Sequence, residues 1–296
     1  MNFHAKLYRR GVLQLTGPDS RQFLQGQTTC DVNQLEERDA LPGAYCTPQG
    51  RLVCDFRLIA LNDTDCLLSM QRDICDNSAT VFGKYIVFSK ARVYNASEDW
   101  EVFAAWGDTV AEALAEEFGQ AGPLWTQVDE AGHRFECHCP AQQAGTLRQR
   151  LRQCTEEAGE AAWQLEEILA GLGHVEAETA GMFIPQMLNY QATGHISFSK
   201  GCYTGQEVVA RLHYRGKVKR PMYLASAEAP APAAATALFK PGSEQSVGNV
   251  VNAVTTEDGC RLLVVCASAA AAGQVLLGTP GGAVLNFLPL PYALPE

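Results

Sequence analysis

The first two-thirds of the chain mix two hydrophobic patterns. Strand-like stretches occur in GVLQLTG, GRLVCDFRLIAL, WEVFAAWG and HRFECHCP. Apolar residues at helical spacing occur in PDSRQFLQGQ, QRDICDNSATVFGKYI, TVAEALAEEFG, TLRQRLRQC and AAWQLEEILAGLG. Because these strands and helices interleave without a regular βαβ repeat, the pattern predicts an α+β fold rather than a doubly wound parallel sheet.

Local signals predict where some of these helices begin and how one of them is oriented. Asp19 and Ser20 have the chemistry of a helix start, and Asp108 is placed to cap the helix that follows it. In a third helix, one face is predicted by residues spaced three or four apart: Ile74, Ser78, Val81 and Tyr85.

The pattern changes near Arg215, after which few helical stretches are found. RPMYLASA indicates a strand, EAPAPAAAT a loop, and VGNVVNAVTTEDGCRLLVVCAS a β-hairpin closed at residues 257–259. GQVLLG and AVLNFLPLPY are further strand candidates. We therefore predict an α+β region over residues 1–215 and a small all-β domain over residues 216–296, for which we expect a barrel.

Composition and charge narrow the class of protein. The 296 residues are 47% hydrophobic, which is enough for a sizeable core and two or three domains. The N-terminus has no continuous apolar stretch of the signal-peptide type, and the run 262–273 is too short to span a bilayer. We expect a soluble, cytoplasmic protein without a membrane association.

The net charge of −10 argues against a general nucleic-acid-binding protein, since phosphate contacts require clustered lysines and arginines. One basic segment is the exception, with five cations within ten residues: Arg211, Arg215, Lys217, Lys219 and Arg220. This segment is either a solvated surface run or a site for an anionic group, such as a carboxylate tail or a phosphate.

Eleven cysteines with irregular spacing indicate reduced thiols, most of them within apolar stretches where they serve as small buried residues. Cys137, His138 and Cys139 raise the possibility of a metal site. A structural zinc site needs a second pair of ligands, which the sequence does not offer, and strand alternation would direct His138 away from the two thiols. We do not expect a metal there.

Cys202 differs from the other cysteines in its surroundings, KGCYTGQEVVAR. Thr204 and Glu207 fit a capping box, with Thr204 as the N-cap of a helix. This would place Cys202 just before a helix N-terminus, where the positive end of the helix dipole and the nearby Lys200 favour a thiolate. The alternative is a buried cysteine in a tight loop.

Trp163 is a second candidate. An apolar stripe on its helix is formed by Leu165, Ile168, Leu169 and Leu172. Trp163 lies about 160° from Leu165, on the opposite side together with Glu167. It therefore either packs against another domain or offers a stacking surface for a flat ligand.

Several stretches resemble one known family. Residues 183–211, FIPQMLNYQATGHISFSKGCYTGQEVVAR, and residues 15–32, LTGPDSRQFLQGQTTCDV, are similar to its signatures, as are GKYIVFSKARV and the closing PLPY. The family is YgfZ, folate-binding relatives of the glycine-cleavage T-protein, an aminomethyltransferase. The resemblance covers essentially the whole chain.

The resemblance implies a three-lobed, T-protein-like fold around a central channel that holds tetrahydrofolate, with two α+β lobes in residues 1–215 and a small C-terminal β-barrel. It further implies a role in maintaining iron–sulfur enzymes, and thereby in tRNA thiolation, that depends on the signature cysteine, Cys202. The implied partners are folate and iron–sulfur assembly proteins or enzymes such as the tRNA methylthiotransferase. A transient iron–sulfur cluster is a second candidate cofactor, with Cys202 as a shared ligand.

The resemblance also assigns residues. Its signature motif is Lys200, Gly201, Cys202, Tyr203, Gly205, Gln206 and Glu207, and its folate-binding residues are expected to be Trp163, Gln186 and Arg211. Two departures bear on folate. Leu169 stands where T-proteins have a glutamate that helps to recognise the pterin, and no aromatic residue stands at Arg10, where a family member has a second tryptophan.

Three functions remain open. The first is a non-enzymatic iron–sulfur maintenance factor that acts through Cys202, with Lys200 beside it. The second is a tetrahydrofolate-dependent aminomethyl or one-carbon transferase, for which Asp55 is the candidate carboxylate because it lies in the strand where T-proteins have acidic catalytic residues. The third, direct tRNA binding through residues 211–220, is not expected for so acidic a chain.

Overall fold

The computed structural model describes residues 1–36, 40–119 and 124–294. The chain divides into two compact units. The first comprises the described residues within Met1–Phe23, Asn33–Leu41 and Phe56–Trp163, and the second those within Leu24–Val32, Pro42–Asp55 and Gln164–Glu296. In the described part of the chain, no helix has both the length and the apolar character needed to cross a lipid bilayer.

The described elements are strands and helices in mixed order, which confirms the α+β prediction. The strands are β1 Phe3–Lys6, β2 Arg10–Thr16, β3 Ala40–Cys46, β4 Leu52–Ala60, β5 Cys66–Gln71, β6 Arg92–Asn95, β7 Trp100–Trp106, β8 Leu124–Gln127, β9 Arg134–Pro140, β10 Glu156–Glu157, β11 Met222–Ala227, β12 Ala237–Phe239, β13 Ser246–Thr256, β14 Gly259–Cys266, β15 Leu276–Leu277 and β16 Asn286–Leu288. The α-helices are α1 Ser20–Gln27, α2 Cys75–Ile86, α3 Val110–Phe118, α4 Ala144–Cys154, α5 Glu160–Leu169, α6 Gln206–Arg215 and α7 Ser268–Ala271.

One five-stranded sheet, in the order β10-β1-β7-β9-β8, buries both of its faces. Phe103 and Ala105 of β7 pack in a cluster with residues of α3 and α4. Val102 and Ala104 point the other way, into a cluster that contains Trp163. Because successive strand residues point to opposite faces, a strand buried on both sides has no polar alternation, which explains the continuous apolar run in WEVFAAW.

A second five-stranded sheet has the order β3-β4-β5-β2-β6, and β2 pairs antiparallel with both β5 and β6. Helix α2 follows β5, and the buried side agrees with the predicted face at Ile74 and Ser78 but differs from it further along the helix. The buried residues are Cys75, Ser78, Phe82 and Ile86, whereas Tyr85 is 43% exposed. The larger Phe82 takes the core position instead of Val81, and its ring lies 6.1 Å from that of Phe23.

The predicted helix starts were right in one case and wrong in another. Helix α1 begins at Ser20, as expected. The N-cap of α3 is Thr109 rather than Asp108, and it makes no side-chain capping bond. Instead, the side-chain amide of Asn2 donates a hydrogen bond from Nδ2 to the Thr109 hydroxyl at 3.0 Å, so a tertiary contact replaces the local one.

The C-terminal strands form the all-β part that the sequence predicts. Their six-stranded antiparallel sheet has the order β15-β12-β13-β14-β11-β16 and curls into a half-barrel. Strands β13 and β14 form the predicted hairpin, paired to Thr256 and Gly259 at the turn. The short helix α7 was not predicted. The second compact unit includes residues on both sides of position 215, and the domain boundary there stays a prediction.

The corrected face of α2 can be tested by two alanine substitutions. Phe82→Ala removes a fully buried ring and should lower the free energy of unfolding by about 3–5 kcal/mol. Tyr85→Ala, on the exposed side, should lower it by less than about 1 kcal/mol. Urea unfolding followed by circular dichroism measures both free energies. A larger loss of stability for Tyr85→Ala than for Phe82→Ala would instead support the face predicted from the sequence.

Candidate functional site

The loop that contains Cys202 is fixed by the ammonium group of Lys200. Lys200 Nζ donates hydrogen bonds to the main-chain carbonyl oxygens of Gln25, Thr28 and Cys30, at 2.8, 2.6 and 2.6 Å. The residue is buried, and burial lowers the pKa of its ammonium group to about 8. Three carbonyl acceptors match the three N–H donors of an ammonium group. Lys200 thus serves to hold the loop in place.

The end of this loop turns at Gly205, which corrects the predicted capping box. Helix α6 begins at Gln206 with Gly205 as its N-cap, in a left-handed conformation (φ +83°) and without a side-chain capping bond. The Thr204 hydroxyl instead donates to Gln27 Oε1 at 3.1 Å. A Cβ atom on Gly205 would lie 2.5 Å from the carbonyl oxygen of Thr47, so only glycine fits there.

Cys202 differs from the other cysteines in its exposure. Of the eleven cysteines, all of which lie in the described ranges, nine are buried, Cys154 is half-buried and Cys202 is exposed. Burial raises the pKa of the thiols of Cys66 and Cys75 to about 11, which suppresses their thiolate forms. Cys202 is therefore the thiol that a partner can reach, and the alternative of a buried cysteine in a tight loop is excluded.

The other residues of the signature motif surround this loop. The ring of Tyr203 is buried, and Lys200 Nζ lies 5.2 Å from its centre. Glu207 is exposed in the first turn of α6, and Gly201 is exposed beside Cys202. The motif thus combines inward-facing anchors with an outward-facing thiol.

Gln186, predicted to bind folate, is buried beneath α6. Its Nε2 donates a hydrogen bond to the carbonyl oxygen of Val209 at 2.7 Å. Its Oε1 is buried and has no hydrogen-bond partner among the described residues. Leaving a buried acceptor unpaired costs about 1–3 kcal/mol, so this oxygen is suited to an N–H donor of a ligand or to water.

A buried cluster of two carboxylates and a histidine lies in the same unit. His174 Nδ1 is 2.7 Å from Asp55 Oδ2, and His174 Nε2 is 3.1 Å from Glu167 Oε1. The main-chain N–H of Val175 donates to Asp55 Oδ1 at 2.6 Å. Both ring nitrogens can donate only when the imidazole is protonated, so the two acids favour an imidazolium between them.

Local geometry brings His174 to this position. Its main-chain N–H donates to Asn252 Oδ1 at 2.7 Å, and the register of β13 shifts between Val250 and Asn252, as in a β-bulge. Gly173, just before it, packs so closely that a Cβ atom would lie 2.7 Å from Met222 Sδ. A side chain at position 173 would therefore require either the Met222 side chain or the backbone next to His174 to shift.

The electrostatics of Asp55 follow from these contacts. Burial raises the pKa of its carboxyl group, but the charge and hydrogen bond of His174, the charge of His195 and the hydrogen bond from Val175 together outweigh burial and hold the pKa below its ordinary value. Asp55 is therefore ionised at neutral pH. A buried carboxylate coupled to a histidine can orient the imidazole and stabilise its protonated form, which is the arrangement used in many proton-transfer sites.

Trp163 lies in the hydrophobic core of the first unit. Only 1% of its surface is exposed, and its ring centre lies 5.6 Å from that of Trp106. Its Nε1 has no hydrogen-bond partner among the described residues. The predicted apolar stripe of α5 is only partly right. Ile168 is buried, but Leu169 is 41% exposed, and Trp163 and Glu167 on the opposite side are buried.

The remaining candidates occupy different surroundings. Arg211, predicted to bind folate, is exposed on α6, as are the other four cations of the basic segment on and after that helix. Cys137 and Cys139 pack in the core beside Phe103, and His138 is also buried.

Sequence reasoning missed His174 and Glu167. In GLGHVE, the glycines on either side of Leu172 are the available signal of an unusual backbone next to His174. The sequence places Glu167 on the same side of α5 as Trp163, opposite the predicted apolar stripe. A charged residue on the same side as a buried tryptophan would have been the clue that its carboxylate has a buried partner.

Comparisons with known proteins agree on one family and one fold. No protein-family model matches the chain. The chain is 33% identical to the "tRNA-modifying protein YgfZ" of Yersinia enterocolitica, over 96% of this chain and 91% of that protein. Proteins of the same name from Escherichia fergusonii and Colwellia psychrerythraea are 34% and 29% identical, over 95% and 96% of this chain and 90% and 91% of their own lengths.

Among solved structures, the chain is similar to the glycine cleavage system aminomethyltransferase T from Bartonella henselae. The TM-score is 0.72 with 16% sequence identity, and the match covers 97% of this chain and 84% of that one. This likeness shows that the two proteins share a fold, which confirms the predicted T-protein-like fold class.

The turn at Gly205 can be tested against a neighbouring glycine of the same loop. Gly205→Ala introduces a Cβ atom against Thr47 and a side chain at positive φ, and should destabilise the protein by about 1–3 kcal/mol. Gly201→Ala meets no atom within 4 Å and should change stability by less than about 0.5 kcal/mol. Thermal unfolding of both variants measures the difference, and equal stabilities would show that the turn tolerates a side chain.

Proposed function

The chain belongs to the YgfZ family, and we propose that it is a folate-binding protein that supports tRNA modification. Its relatives are named for tRNA modification over nearly the whole length of this chain, and the folate role is what the family resemblance implies. The chain also shares the fold of an aminomethyltransferase, and this common architecture supports the proposal.

In this proposal, the protein acts through the thiol of Cys202 in the assembly or repair of iron–sulfur enzymes. The observation that supports it most is that Cys202 is the one exposed cysteine among eleven, on a loop fixed by buried Lys200. An exposed thiolate can ligate iron or attack an electrophilic sulfur, whereas buried thiols cannot reach a partner.

The iron–sulfur cluster is the cargo in this proposal, not a resident cofactor of the chain. A cluster is usually held by four cysteine thiolates, and the Cys202 loop supplies one. The other ligands must come from a second protein, so the partner is an iron–sulfur assembly protein or an enzyme such as a tRNA methylthiotransferase. Because the chain has a net charge of −10, the proposal assigns the tRNA contact to that enzyme.

Folate fits the predicted residues unequally. Gln186 offers a buried carbonyl oxygen without a partner among the described residues, which suits an N–H donor of the pterin. Arg211 is exposed and can pair with a carboxylate of the glutamate tail. Trp163 has no exposed face for stacking, so we propose that it acts on folate only through the packing of α5. Leu169 supplies no carboxylate.

The thiol role is tested by Cys202→Ser, with Cys154→Ser as the matched control. In cells that lack the native protein, Cys202→Ser should reduce tRNA methylthiolation to the level of the empty vector, because a hydroxyl is a poor ligand and nucleophile at neutral pH. Cys154→Ser should support methylthiolation as the wild type does. Mass spectrometry of hydrolysed tRNA quantifies the modified nucleoside.

Thiol labelling of the purified protein provides the second readout. Iodoacetamide should react first with Cys202 and leave the nine buried cysteines unlabelled in the folded state. Full methylthiolation by Cys202→Ser, at matched protein levels, would show that the thiol is dispensable and would remove this function.

A second candidate function is supported by the cluster of Asp55, His174 and Glu167. A tetrahydrofolate-dependent aminomethyl or one-carbon transferase needs a group that accepts or supplies a proton at the reacting amine, and tetrahydrofolate, when bound, accepts the one-carbon unit. The ionised Asp55 and the histidine that it orients can perform the proton transfer.

The transferase hypothesis is tested by Asp55→Asn and Glu167→Gln. If the protein transfers one-carbon units, Asp55→Asn should lower kcat for tetrahydrofolate-dependent formaldehyde transfer by about 100-fold or more. Glu167→Gln, which keeps an acceptor beside His174, should lower it less and should alter the pH profile. A wild-type protein without transferase activity, or one unaffected by Asp55→Asn, would eliminate this alternative.

A further inference from the structure

The basic strip consists of five exposed cations on and after helix α6: Arg211, Arg215, Lys217, Lys219 and Arg220. The five lie within ten residues of an acidic chain. Since the chain has 23 cations in all, 18 remain outside the strip against 33 acidic residues. The strip is therefore a positively charged segment in a chain whose net charge is negative.

The five cations of the strip lie close together in the sequence, and none of them forms an ion pair within the described parts of the chain. Elsewhere, Lys6, Arg57, Arg72 and Arg150 each have an acidic partner within 4 Å. Unpaired cations side by side repel one another. The strip thus costs stability in the isolated protein and is suited to an acidic surface brought by a partner.

An aromatic group lies in the middle of the strip. The side chain of Tyr214 is 68% exposed, and His213 beside it stacks on Phe198 with ring centres 3.7 Å apart. A groove along α6 has five lining residues, of which two are basic and one is acidic: Glu207, Ala210, Arg211, Tyr214 and Arg215. Exposed tyrosine and arginine are the residues that contribute most to the centres of protein–protein interfaces.

The strip and Cys202 belong to one continuous segment. Helix α6 has ten residues and is about 15 Å long, and Cys202 lies four residues before its first residue. The thiol and Arg215 are therefore at most about 30 Å apart, which is within the width of the patch of about 800 Å² that a typical interface covers on each protein. A partner that docks on the strip therefore brings its own surface to the thiol.

We propose that the basic strip is the docking surface for an acidic protein, the partner that exchanges cargo with Cys202. This inference rests on the proposed function and specifies where that partner binds. An acidic protein fits better than RNA because the strip is short and the rest of the chain would repel an extended polyanion, whose binding requires many phosphate contacts.

The test reverses charge at two positions after the helix. Lys217→Glu with Lys219→Glu changes two exposed side chains in a segment without helix or strand structure, so the fold should be retained. Lys84→Glu with Lys240→Glu is the matched control, because it makes the same change in net charge at exposed positions outside the strip. Circular dichroism and iodoacetamide labelling confirm that each variant is folded and that Cys202 still reacts.

The readout is tRNA methylthiolation in cells, measured at low and at high levels of each variant. At low levels the strip variant should support about tenfold less methylthiolation than the wild type, since like charges now oppose docking. High expression should restore it, because mass action compensates for weak binding. The control variant should match the wild type at both levels, and Cys202→Ser should fail at both.

These results separate the two proposals. A strip variant equal to the wild type at low levels, together with a failing Cys202→Ser, would overturn the docking surface and leave the thiol function standing. A Cys202→Ser variant that is fully active would overturn the proposed function itself. Binding of purified wild-type protein to bulk tRNA that falls steeply with salt and is lost in the strip variant would assign the strip to RNA instead.

Discussion

The ammonium group of Lys200 is the contact on which the presentation of the thiol depends. It joins three carbonyl oxygens, in the last turn of α1 and just after it, to a loop about 170 residues later in the chain. The charge is buried, which is costly, and the cost is offset because all three N–H donors are used. The loop of Cys202 is therefore fixed by a contact in which the thiol takes no part.

The cluster around His174 also contains buried charges, but here they are the negative charges of two carboxylates. Two carboxylates are buried in one unit, and they are tolerated because a single imidazole lies between them and the main-chain N–H of Val175 completes the shell of Asp55. Removing one member of such a set leaves a buried charge without a partner. This destabilises the protein far more than replacing the whole set by apolar residues would. The three side chains therefore depend on one another for their stability in the core.

The sequence predicted much of the fold because hydrophobic periodicity is a local property. The strands of WEVFAAW and HRFECHCP, the C-terminal hairpin and the position of Cys202 in a loop could all be inferred from neighbouring residues. The predictions that failed were local signals overruled by distant ones. The Thr204 hydroxyl donates to Gln27 instead of capping α6. Asp55 and His174 are 119 positions apart, so no local sequence pattern could predict that they are partners.

The distribution of the cysteines has a further consequence, for the response of the protein to oxidants. Oxidation of a thiol to sulfenic acid requires access of the oxidant and some thiolate character, and nine of the eleven sulfur atoms are shielded by the core. Burial also raises the pKa of the half-buried Cys154. Damage is thereby concentrated at Cys202, where a sulfenic acid can still be reversed by another thiol. The thiol oxidation of this chain is therefore concentrated in the one loop that presents Cys202.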